Sequence, residues 1–258
     1  MSREAAPDPT SRLQEDSAFS YRCHACGRCC HHKLIYLAPH EVLQLARHLG
    51  MRTTAFLAEL AGPGPSLRLR EEDGACIFLD GSACRVHPVR PLACRLYPLG
   101  LHADVDGSET FSPLDPHPHS AGEYGREGTV AGFLAAQGVG PWRDWSRRYA
   151  QLHSRMLEVL ARLEATPPSA VSPTPEIAAA LDAIGTGDWM DIDAVLERDA
   201  TQRGTPPPAT VEQAIARHLA LLHAWLDALL AATRPVQADA ASDARSRASP
   251  SAIDTRGT

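Results

Sequence analysis

Seven cysteines are the residues in this sequence whose type and spacing are best suited to chemistry. All seven lie between Cys23 and Cys94, and the other 186 of the 258 residues contain none. Four belong to the octet Cys-His-Ala-Cys-Gly-Arg-Cys-Cys over residues 23–30, and the others are Cys76, Cys84 and Cys94. An odd number of thiols cannot pair completely into disulfides, so the clustering predicts a metal site, or redox chemistry, rather than structural bridges.

The spacing within the octet favours an iron–sulfur cluster. Cys23, Cys26 and Cys29 stand three residues apart, which lets a short loop direct three sulfurs toward one centre. Ferredoxin-type [4Fe–4S] loops use such a triplet with a distant fourth cysteine, whereas structural zinc sites more often use two separated C-x2-C pairs. A set of four thiolates binds either group, so Zn²⁺ remains the alternative. We expect one of the three later cysteines, at positions 76, 84 and 94, to complete the set.

The adjacent pair Cys29 and Cys30 raises the question of a second centre. Neighbouring side chains in extended structure point to opposite faces, so we expect one of these thiols to face something other than the first centre. One centre and two centres both remain open, and all seven cysteines are candidate metal ligands. His31, His32 and His87 are close enough in sequence to contribute to a second site.

Two features of the octet would support bound thiolates. Gly27 can relieve the tight bend that the loop requires. Arg22 precedes the triplet and Arg28 lies within it, and together with the backbone N–H groups they could offset the negative charge of the thiolates.

The elements that must position the later cysteines are short. A helix is predicted from Pro39 to about Leu49, with Gly50 at its end, and a second over residues 54–60. Alternation after Leu67 and the Asp73-Gly74 pair predict a hairpin with Cys76 on its return strand. Residues 99–105 and 109–114 form a second hairpin candidate.

From Thr129 onward the pattern is helical. Apolar residues recur at spacings of three and four, which predicts amphipathic helices. The predicted helices run from Thr129 to Gln137, from Pro141 to about Leu163, over 176–184, over 188–197, and from a capping box of Thr210 and Gln213 onward.

The composition predicts a folded, two-part molecule. Apolar residues make up 44% and charged residues 22% of the chain, values that are typical of globular proteins. We divide it into a disordered tail over 1–20, a cysteine-cluster module over 21–125, a helical part with proline-rich linkers over 126–233, and a disordered tail over 234–258. The predicted fold class is mainly α, with a small irregular α+β cysteine-rich metal-binding module of short hairpins and a C-terminal helical part.

Charge and hydropathy set the expected partners. The net charge is −6, which argues against nucleic acid as a partner. No apolar leader precedes residue 20, and the apolar stretch over 219–232 is interrupted by His223 and Asp227, so we expect a cytoplasmic protein with no membrane partner. The expected partners are a metal ion or cluster and, through the helical part, a protein partner or protein substrate.

Two motifs in order resemble those of a known family. The first is the C-x2-C-x2-C-C octet, and the second reads Cys84-Arg-Val-His-Pro-Val-Arg-Pro-Leu-Ala-Cys94-Arg-Leu-Tyr-Pro. Over about residues 22–100 the chain resembles the zinc- or iron-chelating cysteine-cluster family, often called the YkgJ or CxxCxxCC family. The resemblance implies metal binding as the basic property.

The resemblance also implies a second class of function. The family includes flagellin lysine N-methylases, so a metal-dependent protein-modifying enzyme, such as a lysine N-methyltransferase, is the alternative to a simple metal-binding protein. Many members carry a further cysteine beyond the second motif, where this chain has His117-Pro-His-Ser. His119 is the candidate substitute for that ligand.

Overall fold

The chain folds mainly into helices, with a few short antiparallel strand pairs, as the sequence predicts. The computed structural model describes residues 8–62, 64–104, 107–115, 119–167 and 174–232. The helices are α1 (Pro39–His48), α2 (Thr53–Glu59), α3 (Leu92–Leu96), α4 (Val130–Ala136), α5 (Gly140–Ala165), α6 (Pro175–Thr186), α7 (Ile192–Arg203) and α8 (Val211–Ala232). The strands are β1 (Ala18–Arg22), β2 (Ala61–Gly62), β3 (Ser66–Leu67), β4 (Leu79–Asp80), β5 (Ala83–Cys84), β6 (Leu99–Ala103), β7 (Glu109–Pro113) and β8 (Glu123–Thr129). They form the antiparallel pairs β1–β8, β2–β3, β4–β5 and β6–β7.

The C-terminal helices share one apolar core. Helices α5, α6 and α7 pack against α8, whose buried residues include Ile215, Leu219, Leu222, Leu226 and Leu229. Their spacing of three and four places them on one face. The predicted capping box is present, since Gln213 N donates to Thr210 Oγ1 (3.2 Å) and Thr210 N donates to Gln213 Oε1 (3.3 Å).

Helix α8 is also long and apolar enough, by length and composition alone, to cross a bilayer. In the folded chain its apolar face instead packs against the neighbouring helices. The apolar character of α8 is therefore accounted for by the core that it completes.

One predicted helix is divided in two. The structure has a 3₁₀ turn at Asp188–Met190 and a separate helix beginning at Ile192, in place of the single helix predicted over 188–197. The side chain of Asp191 accepts a hydrogen bond from Ala194 N (3.1 Å) and so occupies the N-cap position. This cap starts a new helix, which then continues to Arg203.

The N-terminal segment is structured where sequence analysis predicted a tail over 1–20. Residues 1–7 lie outside the described part, but Leu13 N donates to Phe111 O (2.7 Å) and Phe19 is only 1% exposed. Strand β1 pairs with β8, about a hundred residues later. A pairing of this range leaves no local pattern in the sequence, which is why composition alone suggested a tail.

The two predicted hairpins differ in the number of residue pairs that they form. The hairpin over β6 and β7 is confirmed over five residue pairs, although residues 105 and 106 of its turn lie outside the described part. The hairpin at Asp73-Gly74 is limited to a turn and the isolated bridge between Leu69 and Cys76. Its first strand is shared, because Leu67 pairs with Ala61.

Helix α1 joins the cysteine-rich part to the helical part. Its Leu43 belongs to the core of α5–α8, whereas Val42 and Leu45 belong to the core beneath the cysteine loops. A third core combines residues from both sides of the predicted boundary at 125, including Phe111 and Phe133. The predicted tail over 234–258 and linker residues 168–173 lie outside the described residues.

Candidate metal centre

The octet forms a tight loop that follows β1 directly. Ala25 and Gly27 both have positive φ angles, of 48° and 70°, and the chain then makes a 3₁₀ turn over Arg28–Cys30. A Cβ at Gly27 would stand 3.3 Å from Leu79 Cδ1. Because of this contact and the left-handed backbone, glycine is the residue that fits the bend, as predicted.

The end of the octet is bound to the turn that precedes Cys76. Cys76 N donates to Cys30 O (2.8 Å), and His32 N donates to Gly74 O (2.8 Å). His31 forms an antiparallel bridge with Ala75 between them. These backbone hydrogen bonds hold Cys76 beside the octet although 46 positions separate it from Cys30 in the sequence.

Cys84 and Cys94 come from two further elements. Cys84 lies in β5, which pairs with β4, and Cys94 lies in α3. The carboxylate of Glu41 in α1 accepts hydrogen bonds from Leu92 N at the start of α3 (2.7 Å) and from Ala38 N (2.8 Å). Burial raises the pKa of Glu41 to about 7. Glu41 therefore positions the helix that carries Cys94.

Arg95 fixes the other side of α3. This buried side chain donates to three backbone carbonyl oxygens, at Arg90 (3.0 Å), Gln137 (2.9 Å) and Pro88 (2.5 Å). Its guanidinium also lies 4.4 Å from the ring centroid of Trp142 in α5. Arg95 therefore connects α3 to the preceding loop, to the end of α4 and to α5.

All seven cysteines line one cavity of about 1040 Å³. The Sγ atoms of Cys29 and Cys30 are 3.9 Å apart. A tetrahedral zinc site with Zn–S bonds of about 2.3 Å spaces its sulfurs by roughly 3.8 Å. Among the described residues, no three Cys, His, Asp or Glu side chains are grouped closely enough to hold one metal ion, and this includes the cysteines of the cavity.

The expectation that Cys29 and Cys30 face different surroundings was wrong. It assumed an extended backbone, on which neighbouring side chains diverge. The two residues instead lie in the Arg28–Cys30 turn, where both side chains line the cavity. Both thiols are therefore available to the same centre.

The pKa values of the thiols are shifted in different directions. Hydrogen bonding from the Cys30 thiol lowers the pKa of Cys29 and raises that of Cys30. Burial raises the pKa of Cys94 to about 12 and also raises that of Cys76 and Cys84. Metal binding must displace these protons, so it is expected to release acid.

Two cations line the cavity beside the thiols. Lys33 Nζ stands 3.8 Å from the ring centroid of Tyr97, and Arg90 donates to Gln137 Oε1 (2.7 Å) and to His87 O (2.8 Å). The two arginines expected from the sequence are elsewhere: Arg22 is 75% exposed beside Glu123, and Arg28 is exposed and does not line the cavity. Sequence reasoning missed Lys33, although its being the single lysine of the chain was a usable signal.

The histidines are less closely gathered than the thiols. His24 and His87 line the cavity, whereas His31 and His32 do not. The Nδ1 atom of His31 lies 3.1 Å from Gly27 O, within the loop itself. His119 is not among the cavity-lining residues, and His117 lies outside the described part.

The donor set fits a thiophilic metal or cluster. Seven sulfurs from the octet, the Cys76 turn, β5 and α3 surround one space, and soft thiolate ligands select zinc, copper(I) or iron–sulfur clusters. Residues 22–113 match the model of the CxxCxxCC family, which is described as "Putative zinc- or iron-chelating domain". No curated protein and no solved structure matches the chain.

Proposed function

We propose that the protein, whose residues 22–113 match the model of the CxxCxxCC family, holds a [4Fe–4S] cluster through its cysteines. The primary ligands are Cys23, Cys26, Cys29 and one of the three later cysteines. The observation that carries the proposal is that all seven cysteines line one cavity. A reducing compartment such as the cytoplasm would keep these thiols available to the metal.

The loop geometry and the cavity size favour a cluster over a single zinc ion. The C-x2-C-x2-C loop with Gly27 at its bend has the spacing of cluster-binding loops. The cavity has room for a group of several atoms. When bound, a cluster of this kind supplies one-electron transfer, and a zinc ion in the same place would supply structural cross-linking.

The decisive test is anaerobic purification followed by metal and acid-labile sulfide analysis. We expect brown protein with about four iron and four sulfide per chain. Colourless protein with one equivalent of zinc and no sulfide would replace the cluster with zinc. Protein that takes up neither zinc nor a reconstituted cluster would refute metal binding altogether.

Substitutions then assign the ligands. Cys23→Ser, Cys26→Ser and Cys29→Ser should each abolish or strongly destabilise the bound group, and Ser substitutions at 76, 84 and 94 identify the fourth ligand. Ser82→Ala is the matched control, because Ser82 lines the same cavity beside Cys84 without offering a thiol. Equal loss in Ser82→Ala and the cysteine variants would mean that the region had misfolded rather than lost a ligand.

A metal-dependent protein-modifying enzyme, such as a lysine N-methyltransferase, is the second candidate. It is favoured by the mixed walls of the cavity, which is lined by Ile35, Leu67, Leu101 and Trp189 as well as by the thiols. Apolar walls with a few polar groups are typical of sites for organic molecules. Calorimetry with S-adenosylmethionine and metal-loaded protein tests it: no heat of binding would argue strongly against a methyltransferase.

A further inference from the structure

Positively charged side chains outnumber carboxylates on the wall of the cavity. Lys33 and Arg90 are its only lysine and arginine among the described residues, and Glu41 is its only carboxylic acid. Both oxygens of Glu41 already accept backbone hydrogen bonds, from Ala38 N and Leu92 N. The two cations therefore lack a free carboxylate on the cavity wall.

Arginines elsewhere in the fold are neutralised differently. Arg47, Arg143, Arg155 and Arg217 each form ion pairs with aspartate or glutamate. Within the described ranges, no such pair is formed by Lys33 or Arg90. The groups that remain to balance them are the cysteine thiols, which become thiolates when they bind a metal.

Both cations line the same cavity as the seven cysteine side chains. Burial lowers the pKa of Lys33, and the charges of Cys29, Cys94 and Cys30 act in the opposite direction. Burial likewise lowers the pKa of Arg90, opposed by Cys94, Cys84 and Cys23. The two cations thus lie near thiols of both the octet and the later segments.

The chemistry of the bound group requires such cations. Four thiolates around Zn²⁺ leave two negative charges, and four thiolates around an oxidised [4Fe–4S] cluster leave the same number. A charge buried without a partner is costly. We infer that Lys33 and Arg90 are the counter-ions of the metal–thiolate centre and that they set its affinity and its reduction potential. This inference rests on the proposed function.

Lys33 is the sharper of the two for a test. The other 24 members of the Lys and Arg total are arginines, so Lys33 carries the single side-chain ammonium of the chain. An ammonium is a compact charge that fits over the Tyr97 ring, whereas Arg90 also bonds to Gln137 and His87 and so has a packing role. A change at Lys33 therefore removes charge with the least loss of structure.

The experiment measures metal affinity and potential in a charge series. Lys33→Met keeps the length of the side chain and removes its charge, and Lys33→Arg keeps the charge. Arg28→Met is the matched control, because it removes a cation adjacent to Cys29 that does not line the cavity. The readouts are Zn²⁺ or Co²⁺ affinity by competition with a chromophoric chelator and, for cluster-loaded protein, the midpoint potential.

We expect Lys33→Met to weaken metal binding at least about tenfold and to lower the midpoint potential. Lys33→Arg should stay within about threefold of the wild type, and Arg28→Met should be unchanged. Wild-type affinity and potential in Lys33→Met would overturn the inference and leave the proposed function intact. A wild-type protein that binds neither zinc, cobalt nor a cluster would overturn both.

A measurement on the unmodified chain guards against a variant that fails to fold. Acetic anhydride also acetylates the N-terminal amine and free thiols, so the acetylation of Lys33, the single lysine, is followed on its own peptide by tandem mass spectrometry. Metal loading should slow its acetylation several-fold, because the ammonium would be held against the thiolate centre. An unchanged rate in a protein shown to carry the metal would refute the role of Lys33.

Discussion

The cysteine-rich region and the α5–α8 region are built on opposite principles. In the helical region, long helices bury a continuous set of apolar side chains, with Leu152, Ile192, Ile215 and Leu229 almost fully shielded. In the cysteine-rich region, short strands, turns and the helices α1 and α3 line a cavity with seven thiols, to which α5 also contributes side chains. The first region closes its own interior, whereas the second leaves a space lined by groups that bind metal. We therefore expect the two to respond differently to the same perturbations.

Removal of the metal should produce the largest difference between the regions. Structural metal sites contribute about 10 kcal/mol or more in small zinc domains, so chelation should strongly destabilise residues 22–113. Hydrogen exchange with mass spectrometry, before and after chelator, measures this. Protection should fall in the octet and in α3, and should persist in α8. Equal loss of protection in α8 would show that the helical region also depends on the metal.

A cavity created in the helical core should lower the stability of the helical region and leave the metal affinity unchanged. Leu222→Ala removes a side chain that is 2% exposed between the packed helices, and such changes cost about 2–5 kcal/mol. Chemical denaturation measures the loss, and chelator competition should give an unchanged metal affinity. Leu157→Ala is the control, because Leu157 lies on the same group of helices but is 55% exposed. A large loss of affinity in Leu222→Ala would show that the regions are coupled.

Acid should weaken the helical region through a buried histidine. His218 is fully buried, its Nδ1 lies 2.9 Å from Tyr149 Oη, and burial lowers its pKa to about 3. The unfolded chain takes up this proton near pH 6.5, so stability present above that pH is lost as the pH falls from about 6.5 toward 3. The slope is about 1.4 kcal/mol per pH unit.

Melting temperatures of the metal-free protein from pH 7.5 to 4.5 test this dependence. His218→Gln should reduce the slope, although it also alters the hydrogen bond to Tyr149, and the remaining slope is expected from His40, whose pKa burial likewise lowers to about 3. His153→Gln, at an exposed position on α5, should leave the slope unchanged. Identical slopes in the wild type and His218→Gln would mean that another group causes the acid loss.

The smallest expected effect concerns the cap of α8. Thr210→Ala removes the acceptor of Gln213 N, and the loss of such a cap costs about 1 kcal/mol. Denaturation midpoints measure it, with Thr210→Ser as a control that keeps the hydroxyl. Metal affinity should not change. A loss well above that size would mean that Thr210 has a role beyond the cap.

Local sequence patterns were sufficient for much of the helical part. The apolar spacing and the Thr210 and Gln213 box predict α8, and Thr129 caps α4 by accepting from Gly132 N (3.1 Å), as expected. Such signals act over three or four residues, so they are visible in the sequence. Asp191 shows their limit: its capping side chain divides a segment whose apolar pattern alone indicated one helix.

The amino-acid sequence by itself determined the kinds of ligand, their spacing in the octet, the need for glycine at position 27 and most of the helices. The tertiary structure decided which distant residues meet: β1 with β8, Cys76 with Cys30, and Lys33 and Arg90 with the thiols. The physical reason is range. Caps and apolar periodicity depend on neighbours along the chain, whereas a shared cavity depends on contacts between segments whose separation leaves no periodic trace.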